Sequence, residues 1–151
     1  MAALELSAHM TVRPGCLEGF RRQAAECIRI TQEKDTHTLR YDWFLSLDGT
    51  ECEVREAYTG PEGLIEHNRH ILDARTKLFK DYADNHFMTV YGEVSEPLLN
   101  LLKTHARQGV AHVLSRWEDC REQTIEAGRS GLRRRLRRRS TRSSRAREPD
   151  H

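Results

Sequence analysis

The sequence predicts an α+β fold in which strand and helix patterns succeed one another as βαββαβ, the ferredoxin-like order. Three observations predict it: an alternating first segment, two runs with helical periodicity that each bury one stripe, and a hairpin between them turned at Asp48-Gly49. A length of 151 residues suits one domain with one core.

LELSAHMTVR, residues 4 to 13, places Leu4, Leu6, Ala8, Met10 and Val12 on one strand face, and Glu5, Ser7, His9, Thr11 and Arg13 on the other. Pro14-Gly15 ends it. From Cys16 to about Lys34, Leu17, Phe20, Ala24, Cys27 and Ile28 recur at three- and four-residue steps, an amphipathic helix with Arg21, Arg22, Glu26 and Arg29 in water. The hairpin follows. Its first strand sets Leu39, Tyr41, Trp43, Leu45 and Leu47 against Thr38, Arg40, Asp42, Phe44 and Ser46. Its second, Glu51 to Tyr58, sets Cys52, Val54, Glu56 and Tyr58 against Glu51, Glu53, Arg55 and Ala57. Thr59 is the expected N-cap of a second helix, about 61 to 82, with Pro61 and Glu62 in its first turn. Leu64, Asn68, Ile71, Leu72, Arg75, Leu78, Phe79 and Tyr82 lie on or near one stripe of it, with His67 at the edge. HFMTVYGEV, 86 to 94, reads as the fourth strand, and SEPLLNLLKTHA, 95 to 106, as a helix capped by Ser95.

The expected organisation is a ferredoxin-fold domain over 1–104, a helical extension over 105–128 carrying Val110, Val113, Leu114 and Trp117, and an Arg-rich disordered tail over 129–151. The tail holds ten Arg against Glu148 and Asp150, a net +8, leaving −6 on residues 1–128. Its segment Arg133–Arg147 can meet nucleic acid or an anionic surface, but it has no aromatic residue for base stacking, so such binding is expected to be weak and salt-sensitive. Four scattered cysteines without a CxxC pair point to reduced thiols. With neither a leader-like N-terminus nor an apolar run of spanning length, a cytoplasmic protein without a membrane span is expected.

VRPG (12–15), LRYDWFLSLDGTECEVREAY (39–58) and EGLIEH (62–67) resemble the antibiotic biosynthesis monooxygenase family, including quinol monooxygenases, over residues 4 to 104. The resemblance implies two ferredoxin-like subunits paired sheet to sheet in a dimeric α+β barrel. A homodimer also makes physical sense, because an antiparallel sheet with helices on one face leaves the other open. It further implies oxidation of a quinol, anthrone or similar electron-rich aromatic by O2 without metal, flavin or haem, so no cofactor is expected. The deprotonated aromatic supplies the electrons, and the protein binds, deprotonates and desolvates it.

On that resemblance His67 matches the histidine that ends the family's segment here reading EGLIEH, and is the expected base. Tyr58, at the hairpin end, donates a hydrogen bond or walls the pocket, and Asn68 adds a donor and an acceptor. Trp43 stacks on a flat substrate, with Tyr41, Leu64 and Ile71 completing the walls. Each also suits a plainer role, Trp43 and Tyr58 as core and His67 as a satisfied histidine. His67 and His70 lie one turn apart, but two ligands make no metal site. A third from His37, His86 or Cys52 has no place in the sequence, and His70 reads as solvated. ARTKLF, 74 to 79, lacks the axial histidine of haem-degrading relatives. No glycine pattern cradles phosphate, and there is no nucleophile elbow. Two other readings stay open: a non-catalytic dimeric module that binds an aromatic metabolite, and a dimer that engages nucleic acid through its tail.

Overall fold

The computed structural model describes residues 3–105 and 110–114, and residues 1–114 form one compact unit. The order is β1 (Leu4–Val12), α1 (Leu17–Lys34), β2 (Thr38–Leu45), β3 (Glu51–Tyr58), α2 (Pro61–His70), α3 (Leu72–Asp81), β4 (Ala83–Tyr91), α4 (Glu96–His105) and β5 (Val110–Leu114). The sheet runs β2-β3-β1-β4-β5. Its first four strands are antiparallel, as the βαββαβ order requires, and β5 joins β4 in parallel. Among the described residues no helix is long and apolar enough to cross a membrane.

The alternation fixes which face is covered. Leu4, Leu6, Ala8, Met10 and Val12 of β1 are buried, as are Cys52, Val54, Glu56 and Tyr58 of β3, and β1 pairs with β3 so that these residues share the inner face. From α1, Phe20, Ala24, Cys27 and Thr31 pack onto that face. Ser95 begins α4 as expected, its Oγ accepting from the Leu98 amide at 3.4 Å. Leu98 and Leu102 of α4 are then buried against the core.

Several expectations are corrected. The helical extension over 105–128 fails for residues 110–114, which form β5. The β4 edge offers unpaired backbone groups, and VAHVL, with two β-branched residues, satisfies them as a strand. The rest of that extension and the tail over 129–151 lie outside the described residues. The second helix is not continuous: it breaks at Ile71, whose φ of −91° and ψ of 2° leave the helical region. The hydrogen bonds Ile71 N to His67 O and Arg75 N to Ile71 O persist, at 3.0 and 2.8 Å. Ile71 is itself buried, so the break keeps its side chain inside while turning α3. Gly60, not Thr59, is the N-cap of α2. Leu39 and Leu47 face water and Leu45 is at the margin. The β2–β3 register slips between Thr38 and Arg40, leaving Leu39 as an unpaired bulge residue, and the edge strand ends beyond the cover of the helices.

The hairpin turn is longer than a two-residue loop. Ser46 and Glu51 close it, and the Gly49 amide donates to Ser46 O at 2.9 Å. Gly49 has φ +72°, and a Cβ there would stand 2.7 Å from Leu17 Cδ2. Asp48 Oδ1 accepts from Ser46 Oγ, Thr50 Oγ1 and the Thr50 amide, bonds that hold its carboxyl down at about 2. A Gly49→Ala substitution should therefore lower the unfolding free energy by about 1–2 kcal/mol in urea titrations, from the left-handed backbone alone.

Candidate active site

Gly63 sets the position of α2. A Cβ at Gly63 would lie 3.0 Å from both His37 Cβ and Tyr58 Cβ, so the first turn sits tightly on the end of β3. From there Leu64, His67, Asn68 and Ile71, spaced at helical intervals, point at the sheet, and all four are buried. Between them and the inner sheet face lies a cavity of about 40 Å³, within an empty space of about 570 Å³ that includes its mouth. Ala8 leaves room on the floor, Tyr41, Trp43 and Glu56 form the sheet wall, Leu101 and Leu102 of α4 close one side, and Arg75, Phe79 and His86 also line it.

His67 is 2% exposed, and its Nδ1 lies 2.6 Å from Asp35 Oδ2, on a side chain 1% exposed. Asp35 follows the C-terminus of α1. A carboxylate only accepts, so Nδ1 carries a proton, and in the neutral ring Nε2 keeps its lone pair. Nε2 is buried without a hydrogen-bond partner among the described residues, and His67 lines the cavity. Asp35 also accepts from Thr38 Oγ1 at 2.7 Å and from His70 Nδ1 at 2.7 Å. Burial pushes the Asp35 carboxyl up, but bonds from His67, His70 and Thr38 outweigh it and hold the group below the usual carboxylate range. His70 is therefore not the solvated residue expected. Its side chain is 19% exposed and engages the same carboxylate as His67. Among the described residues no group of three or more His, Cys, Asp or Glu could hold a metal ion.

The sheet wall is aromatic. The Tyr41 ring stands edge-on to His67 at 4.6 Å and to Trp43 at 5.7 Å, and Trp43 packs against Phe20 at 6.2 Å. Burial raises the Tyr41 and Tyr58 phenols well above their ordinary value, so both stay protonated. Burial also pushes the Cys27 thiol up to about 12, which makes it wall and not nucleophile. Arg75 donates to Asn68 Oδ1 across the break at Ile71, joining α3 to α2.

Of the residues singled out in the sequence, His67, Asn68, Tyr41, Trp43, Leu64 and Ile71 meet at the cavity. Tyr58 lies behind it, fully buried, with its hydroxyl donating to Glu56 Oε2 at 2.5 Å. Sequence reasoning missed Asp35, Glu56 and Arg75. Glu56 and Arg75 carried a signal, since the first shares the inward phase of β3 and the second the inward stripe of its helix. Asp35 carried none.

No family model matches the chain, and no curated protein does. Solved structures do match. MupZ from Pseudomonas fluorescens is 21% identical over 77% of this chain and 93% of its own, with a TM-score of 0.60. Rv0793 from Mycobacterium tuberculosis is 25% identical over 63% and 98%, with a TM-score of 0.54. A protein assigned as an antibiotic biosynthesis monooxygenase from Nitrosomonas europaea is 18% identical over 62% and 92%, with a TM-score of 0.54. The chain thus has the ferredoxin-like α+β fold of structures that include antibiotic biosynthesis monooxygenases.

Proposed function

We propose that the protein is a cofactor-independent monooxygenase that oxidises a quinol, anthrone or similar electron-rich aromatic with O2. One observation carries the reading: a buried imidazole, oriented by a buried carboxylate, offers a ring nitrogen without a partner among the described residues to a largely apolar, aromatic-lined cavity. His67 Nε2 removes a proton from the bound aromatic, and Asp35 stabilises the imidazolium that results. Trp43, Tyr41, Leu64 and Ile71 hold the ring and exclude water, which keeps the substrate anion poorly solvated and therefore strongly reducing. Asn68 positions a substrate oxygen. Tyr58 acts through Glu56, whose carboxyl it fixes. The anion passes its electrons to O2.

The test is oxygen uptake by metal-free protein with a panel of reduced naphthoquinols and anthrones. Wild type should exceed spontaneous oxidation, and His67→Ala should lose about 10²–10⁴ of the rate. No substrate consumed above background would remove the reading.

Asp35→Asn should cut turnover by about tenfold or more, because an amide no longer selects the Nδ1–H tautomer. It should also change the pH dependence of stability. The folded Asp35 value lies below its unfolded value of about 3.9, so its contribution is complete above that pH and is lost as pH falls through the folded value. The gap in unfolding free energy between wild type and Asp35→Asn should therefore narrow from pH 7 to pH 3, as read by denaturant titration. A constant gap would contradict the role given to Asp35.

The same reading includes a homodimer built on the open sheet face. Phe44, Tyr91 and Leu114 stand exposed on that face, beside Phe87 and His112, whose rings meet at 5.2 Å. Exposed aromatic groups of this kind suit a two-fold contact. Sedimentation should give a dimer for wild type and a shift toward monomer for Phe44→Glu.

A further inference from the structure

Besides His67 and the Cys27 thiol, one more buried titratable group lines the cavity, the carboxyl of Glu56. It is 7% exposed, sits on the inward phase of β3 between Val54 and Tyr58, and lines the cavity from the sheet while His67 lines it from α2. The Tyr58 hydroxyl donates to its Oε2 at 2.5 Å, which fixes the carboxyl plane. The base and this carboxyl therefore stand on different walls of one aromatic-lined space, and a flat ring held between them meets both.

We propose that Glu56 is the second proton-transfer group of the site, the acid that protonates the peroxide formed when the bound aromatic reacts with O2. The inference rests on the oxidation proposed above and narrows its substrate class to an aromatic carbon acid of the anthrone type, with a reactive ring methylene. His67 takes one methylene proton. The carbanion gives an electron to O2, and the radical pair closes a C–O bond, leaving a peroxide anion on carbon. Glu56 donates its proton to the terminal oxygen. The Glu56 carboxylate then takes the second methylene proton as the O–O bond breaks. The ketone forms, and the departing hydroxide takes the proton held on His67 and leaves as water. The methylene loses four electrons and O2 gains four, one oxygen ending in the ketone and one in water, with both side chains restored.

The surroundings suit the role. The groups facing Glu56 are His67 from α2, Arg75 from α3, Tyr41 across from it on β2, Tyr58 on its own strand and Asp35 after α1. Burial dominates and pushes its carboxyl up; His67, Tyr58 and Arg75 pull it down, Asp35 pushes it up, and the net direction is upward from its ordinary value. A peroxide anion in a dry pocket is costly, and a donor already in place spares that charge.

The experiment uses the full chain with an anthrone. Glu56→Gln keeps the side-chain size and the acceptor for Tyr58 but has no acid proton. Anaerobic formation of the bound substrate anion should match wild type. After O2 is admitted, ketone formation should fall by about 10²–10⁴ and a hydroperoxide or H2O2 should appear in solution. Independently of turnover, the infrared spectrum of wild type should carry a protonated-carboxyl band that outlasts the ordinary carboxyl titration as pH rises and is missing from Glu56→Gln. A Glu56→Gln protein that forms ketone at the wild-type rate without peroxide overturns the proposal while sparing the His67 reading, and so does the absence of that band. A wild type that consumes no oxygen removes both.

Discussion

The buried carboxylate of Asp35 is the constraint on which the rest of the site depends. A charge 1% exposed needs several donors to remain folded, and it finds them in three places: Thr38 at the start of β2, and His67 and His70 on α2. Satisfying it ties the end of α1 to the edge of the sheet and to the helix that follows the hairpin. The same bonds decide which imidazole nitrogen of His67 is protonated. The device that closes the structure here thus also sets the chemical character of the ring nitrogen left facing the cavity.

Around that nitrogen the fold is arranged to stay open and apolar. Ala8 is small where the other inward residues of β1, apart from the strand ends, are Leu and Met. The break at Ile71 lets α3 leave the line of α2, so that Arg75 and Phe79 border the cavity instead of filling it. By contrast, the pairs His9–Glu51 and Arg55–Glu53 lie on the outer sheet face with side chains more than 40% exposed. They are worth little to stability but make that face polar between its aromatic groups. The two faces of one sheet therefore do different work, and strand periodicity separates them.

What was legible follows from the same physics. β1, β3 and α1 were readable because burial acts on every second, or every third to fourth, residue, and such a pattern survives in sequence. The break at Ile71 was not, since no Pro or Gly marks it and its cause is a tertiary fit. Nor was β5: five residues with two valines satisfy a helical stripe as well as a strand, and only the free edge of β4 decides between them. At the site, Glu56 and Arg75 were legible in phase, each a charged residue on an apolar face. Asp35 was not, because its partner lies 32 residues away, and no spacing rule connects the end of one helix with the second turn of another.

The choice between core and site turns on what a packed interior tolerates. A histidine retained only for structure would have both ring nitrogens bonded, since a buried, unpartnered polar atom costs about 1–3 kcal/mol. His67 has one nitrogen held by the best acceptor the chain offers, while the other has no partner among the described residues. A deficit of that kind beside an aromatic-lined space is better explained by an occupant than by packing. Water would recover part of the cost. A ligand with oxygen atoms on a flat apolar frame recovers it and also fills the aromatic walls, and a ligand acid enough to yield a proton there meets a nitrogen already set to receive it.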